Sequence, residues 1–390
     1  MIKPKRCDVL IVGSLINNDV IIAEALSKLG ISCIVARTTS CPKFESASLP
    51  IVLKFFSQTD IVTVKSTCEF ARLIMSASAI LTFGGTVTSF FGRLYPIVTF
   101  FPLPPILNVA TGADLSEMAL ENTLRGWTYR RLLRKAQWNV IAAHPMMFDA
   151  VVSLRLNNFL FIRHPYAIAD IEIRDGCSAK KDTDTAGSVV YLHPSNLDWG
   201  ATDTGGHRRT FKRNDLFLKA FIRALAAGAD VRCIILDRGP DRTIARQMIN
   251  ASGRADRFEW RNRVDSAGLV RLIRQADVVV DQFDVGGLGG IAIEAMGQAK
   301  AVMTFIDEQA CSIYYDDMPP VINCKTEDQI FEQIMLHSDR NKIAALGQRA
   351  WEWVVSNHRK QSDVRELAVR IKLAGRGGWR LTPLASNGGR

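Results

Sequence analysis

The chain has 390 residues, enough for two domains with separate cores. Its 47% hydrophobic and 23% charged residues exclude a disordered or fibrous protein. A net charge of +10 (49 basic minus 39 acidic) points to an anionic partner: a phosphorylated ligand, an anionic membrane surface or nucleic acid. Residues 1–6 are basic but lead straight into a strand, which is not the pattern of a cleaved signal peptide. Residues 7–12 form that apolar strand. A loop from Gly13 to Asp19 offers helix-capping residues, residues 20–29 have helical periodicity, and Gly30 stops them. Residues 31–36 are the next strand.

The alternation continues with candidate strands at 60–65, 79–83, 97–101 and 106–110. A partly helical stretch covers 115–136, and a strand covers 139–143. Residues 73–92 carry no charge, which is long enough to raise a membrane span. Gly84-Gly85, the Ser and Thr residues, Arg93 and Pro96 argue instead for a buried helix and strand. Strands alternating with helices imply a parallel sheet with right-handed crossovers.

Between Arg174 and Gly187 the texture turns polar and turn-rich, which reads as a domain linker over 176–187. A second α/β unit follows. Strands are expected at 188–192, 231–236, 257–260, 277–281 and 300–304. Helices are expected at 216–227, 242–251, 266–275, 340–358 and 361–373. The tail 374–390 has no apolar period and reads as mobile. The domains are therefore 1–175 and 188–358, with a last helix (359–373) packing back on the first domain.

Strand 277–281 runs into the densest motif, Asp281-Gln282-Phe283-Asp284-Val285-Gly286-Gly287-Leu288-Gly289-Gly290-Ile291-Ala292-Ile293-Glu294-Ala295-Met296. Glycines allow close backbone approach to a ligand, and N–H groups at a helix start favour phosphate. Glu294 would accept hydrogen bonds from ribose hydroxyls. A plain βα turn over a buried helix is the alternative. The eight cysteines are scattered with no Cys-x-x-Cys, which implies free thiols in a reducing compartment. The histidines His144, His164, His193 and His207 lack metal-ligand spacing.

Further motifs follow in order through the second half. His193-Pro194-Ser195-Asn196 ends a strand, and the basic loop Arg208-Arg209-Thr210-Phe211-Lys212-Arg213-Asn214-Asp215 leads into a helix. Leu236-Asp237-Arg238-Gly239-Pro240-Asp241, Glu259-Trp260, Ala276-Asp277-Val278 and Glu294-Ala295-Met296-Gly297-Gln298-Ala299-Lys300-Ala301-Val302 complete the series. This order resembles GT-B glycosyltransferases, in particular the large retaining group that uses nucleotide-diphosphate sugars (glycosyltransferase family 4-like). The specific motifs lie within 193–302, and Thr111-Gly112-Ala113-Asp114-Leu115 resembles the acceptor domain's post-strand loop less specifically.

The resemblance implies two Rossmann-like domains facing a cleft, the acceptor on the first and the donor on the second. It implies Lys212 with one or both of Arg208 and Arg209 on the diphosphate, where preorganised positive charge stabilises the leaving group; a solvated basic loop over 207–213 is the alternative. Gly287, Leu288, Gly289 and Gly290 would contribute backbone amides, and Glu294 would hold the ribose. Asn262, Arg263 and Val264 lie where the family holds the base, and His193 and Asn196 sit at the first strand end. Asp114 would orient or deprotonate the acceptor hydroxyl, or simply cap a helix. The family carries a glutamate eight positions before Glu294, but Gly286 stands there. Asp281, Gln282 or Asp284 would then take over its sugar-binding task, or backbone groups would make the donor contact.

The expected function is sugar transfer from a nucleotide-diphosphate sugar to a glycan or lipid-linked acceptor. It is expected to be retaining, metal-independent and free of cofactors, in surface polysaccharide or glycoconjugate synthesis. A nucleotide-sugar epimerase, a phosphorylase or a non-catalytic nucleotide-sugar-binding protein are the competing readings. The basic, aromatic stretch 125–135 would suit peripheral contact with an anionic membrane, or a solvated helix face. Nucleic acid is not expected, since the basic residues are spread out and no binding motif is present. A cytoplasmic location, with membrane association on the cytoplasmic face, follows from these readings.

Overall fold

A computed structural model describes residues 6–13, 18–38, 60–83, 103–110, 112–142, 145–162, 187–200, 212–358 and 362–376. Two parallel sheets organise it. The first has strand order β3-β2-β1-β4-β5-β6-β7, built from β1 (Cys7–Val12), β2 (Cys33–Thr38), β3 (Asp60–Val64), β4 (Ala77–Phe83), β5 (Ile106–Ala110), β6 (Trp138–Ala142) and β7 (Phe159–Ile162). The second has order β10-β9-β8-β11-β12-β13, from β8 (Val189–His193), β9 (Val231–Leu236), β10 (Phe258–Arg261), β11 (Val278–Val280), β12 (Ala301–Thr304) and β13 (Ile322–Asn323). Central strands such as Val9 to Val12 and Val278 to Val280 are buried on both faces. Such strands read as apolar runs because helices cover both sides of a parallel sheet.

Helices α1 (Asn18–Ser27), α2 (Thr67–Ser76), α3 (Ala113–Ser116), α4 (Leu124–Lys135) and α5 (Pro145–Leu154) belong to the first unit. The second unit carries α6 (Asn214–Ala226), α7 (Arg242–Ala251), α8 (Ser266–Gln275), α9 (Gly290–Gly297), α10 (Glu308–Cys311), α11 (Glu327–Leu336) and α12 (Arg340–His358). Their starts carry local signals. Asp265 accepts from Gly268 N–H before α8, and Thr326 with Gln329 forms a capping box before α11.

The last helix, α13 (Ser362–Arg376), returns to the first sheet. Its Val364, Leu367, Ala368, Ile371 and Ala374 share a core with Val9, Ile11, Leu81 and Phe83. It therefore runs past residue 373, through Arg376, and the rest of the expected tail lies outside the described residues. A second seam joins the units where Tyr314 stacks on Phe148 at 5.4 Å and meets Phe161 edge-on at 5.6 Å.

The uncharged stretch resolves into the end of α2 and the strand β4 up to Phe83. Among the described residues no helix is long and apolar enough to cross a membrane. The strand expected at 97–101 and nearly all of the linker 176–187 lie outside the described residues. Helix α5 and strand β7 were not foreseen. α5 is PMMFDAVVSL, apolar on most sides, so it shows little amphipathic period.

Candidate functional site

In the second sheet the strand order reverses beside β8: β9 and β10 lie on one side, β11 and β12 on the other. Open parallel sheets bind ligands at the carboxyl ends of strands at such a switch point. The two strands flanking the reversal end in His193 and Val280, and the residues just beyond them interlock. Ser195 Oγ donates to Asp281 Oδ1 at 2.9 Å. Lys212 Nζ lies 3.8 Å from the same oxygen and donates to Gln282 Oε1 at 2.7 Å. Gln282 Nε2 in turn donates to the Gly287 carbonyl at 3.1 Å, so one amide links the lysine to the glycine turn.

The main chain fixes this lysine as firmly as its side chain does. Lys212 N–H donates to Asp198 O, and Phe283 N–H donates to Lys212 O. The next residue, Arg213, caps α6 with φ 51, a left-handed conformation uncommon for a residue with a Cβ. That sharp turn lets α6 start directly behind the lysine. Asn214 then reaches His193 Nε2 at 2.9 Å with its amide nitrogen, while its Oδ1 accepts from Asp198 N–H. An amide nitrogen only donates, so Nε2 accepts and His193 is neutral. Burial, with the positive charges of Arg238 and Lys212, lowers its pKa from 6.5 to about 4.

The carboxylate of Asp281 is 1% exposed, against 34% for the lysine side chain. Its Oδ2 has no hydrogen-bond partner among the described residues. A Cβ on Gly289 would crowd that oxygen, so a larger residue there requires the Asp281 carboxylate to shift. Gly289 is also the N-cap of α9 and has no side chain to satisfy the first N–H groups of that helix. Those donors, Lys212 and the helix dipole all favour an anion. Glu294 is half-buried in the second turn of α9, four residues after Gly290 and hence on the same side.

Several sequence-derived candidates are buried here. His193 is fully buried and is bonded to Asn214. Asp281 and Gln282, 1% and 3% exposed, lie beneath the turn and bond to Lys212. Of the three substitutes for the missing glutamate, Asp284 alone is exposed. Gly286 adopts φ +73, and a Cβ there would press within 3.1 Å of the Asp307 Cβ. Its carbonyl accepts from Asp307 N–H at 2.9 Å.

Asn196 is exposed just past β8, and Asn262 is exposed past β10 with Val264 half-buried against the core behind it. Beside them Arg246 lies 4.1 Å over the Trp260 ring and pairs with Asp237 at 2.9 Å. Arg208 and Arg209 lie outside the described residues.

In the first unit, Asp114 sits inside α3, not at its cap. Its Oδ1 accepts from Gly112 N–H at 2.8 Å and its Oδ2 from the Tyr129 hydroxyl at 3.0 Å. Both oxygens are thus engaged. Sequence reasoning missed Asn214, whose position before a helix reads as an ordinary cap. It also missed Ser195 as the partner of Asp281, although the His-Pro-Ser-Asn motif contained it.

Comparison with solved structures places this architecture. HepE of Anabaena, solved with UDP-glucose, superposes with a TM-score of 0.60 at 15% identity over 93% of this chain and 98% of that one. The fold is GT-B. A putative UDP-N-acetylglucosamine 2-epimerase from Listeria monocytogenes matches with a TM-score of 0.58 at 12% identity, covering 98% and 100%. TarM of S. aureus, solved with UDP, matches with a TM-score of 0.56 at 14% identity over 76% of this chain. The chain spans about 55% of the length of TarM. TarM and HepE are GT-B glycosyltransferases. No family model and no curated protein sequence matches the chain.

Proposed function

We propose that the protein is a glycosyltransferase that moves a sugar from a nucleotide-diphosphate sugar to a glycan or lipid-linked acceptor. The observation that carries this reading is the Lys212 ammonium, held by Asp281 and Gln282 beside an uncapped helix start at the switch point of the second sheet. A departing diphosphate gains negative charge, and fixed donors stabilise it without reorganising. Lys212 is the compact charge for that task, with Arg208 and Arg209 beside it in sequence. Amides from Gly287 to Gly290 complete the anion cradle, and Glu294 takes the ribose. Asn196, Asn262 and Val264 line the nucleoside end.

On the first unit Asp114 would face the acceptor. Its two engaged oxygens suit orientation better than proton abstraction, and the leaving phosphate then takes the acceptor proton in a retaining, metal-independent transfer. The pathway in this reading is surface polysaccharide or glycoconjugate synthesis, in a reducing, cytoplasmic setting where the buried thiols Cys7, Cys33, Cys233, Cys311 and Cys324 stay free.

Two further readings have their own support. The Listeria epimerase shares the fold across nearly its whole length, so an epimerase remains a competitor. Gly286, where a sugar-binding glutamate is absent, favours a nucleotide-sugar-binding protein without turnover. Thermal unfolding with UDP, GDP, ADP and CMP, and with their sugar conjugates, tests the donor site, because a ligand bound only to the folded state raises Tm. A selective rise with one diphosphate, followed by glycoside product from its sugar conjugate, is the expected result. An epimerised donor without transfer would establish the epimerase instead. A Tm rise with no turnover would establish the binder, and no rise at millimolar ligand would remove the donor site.

A further inference from the structure

Helix α4 carries five basic residues (Arg125, Arg130, Arg131, Arg134 and Lys135) and no acid. Its inner face, with Tyr129, Leu132 and Leu133, is buried in the core of the first unit. Gly126 lets the helix lie hard against the preceding turn, since a Cβ there would collide with the Glu121 and Met118 carbonyls. Arg130 ties the two together by donating to Ala119 O and Glu121 O at 2.8 and 2.7 Å. The helix is therefore rigidly seated, and its outer face is fixed in direction.

That outer face is a single stripe. Leu124, Trp127, Arg131, Arg134 and Lys135 follow one another at steps of three, four, three and one, the spacing of one side of a helix. Leu124 is 73% exposed and Trp127 44%. Arg134 and Lys135 are exposed too. Burial, and after it the charge of Arg131, depress the pKa of the Lys135 ammonium. An exposed Trp and Leu in line with clustered cations do not suit bulk water. They suit the boundary of an anionic bilayer, where indole sits at headgroup depth and Arg and Lys meet phosphates.

We propose that this stripe is a docking surface for an anionic phospholipid bilayer. The apolar end of the stripe starts at the carboxyl edge of the first sheet, the edge from which β5 leads into α3 and Asp114. A membrane bound there would bring a lipid-borne acceptor to the side of the first unit that the proposed transfer uses. The docking itself does not depend on that transfer, and it is read out without a nucleotide.

The test is flotation with vesicles of phosphatidylcholine alone or mixed with phosphatidylglycerol. Binding is expected only to the mixed vesicles, and it should weaken with salt. Replacing Arg134→Gln and Lys135→Gln together should lower the partition coefficient about thirtyfold, from about 1 kcal/mol per basic residue near an anionic surface. Leu124→Ser with Trp127→Ser should lower it by a comparable factor. Thermal unfolding of each variant and nucleotide-induced shifts in Tm confirm that fold and donor site are intact.

Because these changes can perturb packing, the milder Trp127→Phe supplies a second readout. Quenching of tryptophan emission by brominated lipid should fall in that variant. No flotation of the parent protein, or quenching equal in parent and Trp127→Phe, overturns the proposal. Loss in the charge variant without loss in the apolar variant overturns it as well, because the stripe would then be a generic polycation able to bind any soluble polyanion.

Discussion

Both halves of the molecule bury polar side chains within or just past their strands, but they finish those networks differently. In the first half Thr82 Oγ1 donates to Asn108 Oδ1 at 3.0 Å, and Asn108 Nδ2 donates to both Tyr129 and Asn139. Tyr129 passes the chain on to Asp114. Asn108 is fully buried, and its amide hydrogens and carbonyl are all used. This network leaves no member of its chain short of a partner and ties α4 to the sheet through Tyr129. In the second half the corresponding chain runs from Ser195 through Asp281, Lys212 and Gln282 to the Gly287 carbonyl, and its lysine side chain is partly exposed. It also leaves Asp281 Oδ2 unpartnered among the described residues. A fully partnered network stabilises; one that carries a partly exposed charge is built to receive something.

The comparison can be broken most decisively at Lys212. Lys212→Ala should cut sugar transfer roughly a thousandfold, the scale of losing one preorganised donor to developing charge. Its Tm should stay close to that of the parent, because the ammonium is partly exposed. Near-normal turnover, measured on the donor that shifts Tm, would remove the lysine from catalysis.

Asn108→Ala is the opposite case. It leaves three buried partners without their bonds and should lower unfolding free energy by about 3 kcal/mol. Nucleotide affinity should not move, as read by denaturant melts and ligand titration. A variant that loses affinity but not stability would show that the first network is functional after all.

His193 sharpens the comparison through pH. Its folded pKa of about 4 lies below the ordinary 6.5, so the unfolded chain binds the extra proton first. Neutral His193 therefore contributes stability above pH 6.5, and that contribution drains away as pH falls towards 4. The loss amounts to roughly 3 kcal/mol over that window. A His193→Gln variant should show a shallower acid limb in melts across this range. Parallel limbs would contradict the neutral, Asn214-bonded imidazole.

Glu294→Ala should weaken nucleotide binding about tenfold, consistent with losing one charge-assisted hydrogen-bond acceptor. Unchanged affinity by titration would take the ribose role away from it. The smallest change is expected from Gly286→Ala, about 1 kcal/mol of stability from its left-handed φ of +73. Gly286→Glu should lose at least as much without gaining turnover. A rise in turnover would show that the turn can rewind to present a carboxylate.

Much of this was legible in the residues, and the illegible parts have physical reasons. Strand 231–236 and helices 242–251, 266–275 and 340–358 coincide with β9, α7, α8 and α12 because each has a strong period with clear stops. The glycine turn and Lys212 stood out because their chemistry is local in sequence. Asn214, Ser195 and Asn108 did not. Their roles depend on partners tens of residues away, and an Asn or Ser alone is indistinguishable from a cap or a turn. The burial of His193, Asp281 and Gln282 behind Asn214 and Lys212 is of the same kind. A strand end announces proximity to a site, whereas burial decides which side of the backbone the side chain occupies.

The return of α13 to the first sheet has a consequence for synthesis. β8 to β13 are synthesised before Val364, Leu367 and Ile371 exist. The second half can close its own core on the way out, while the first half, although made earlier, waits for the α13 side chains that share its core with Val9 and Leu81. The half translated first is thus the half completed last.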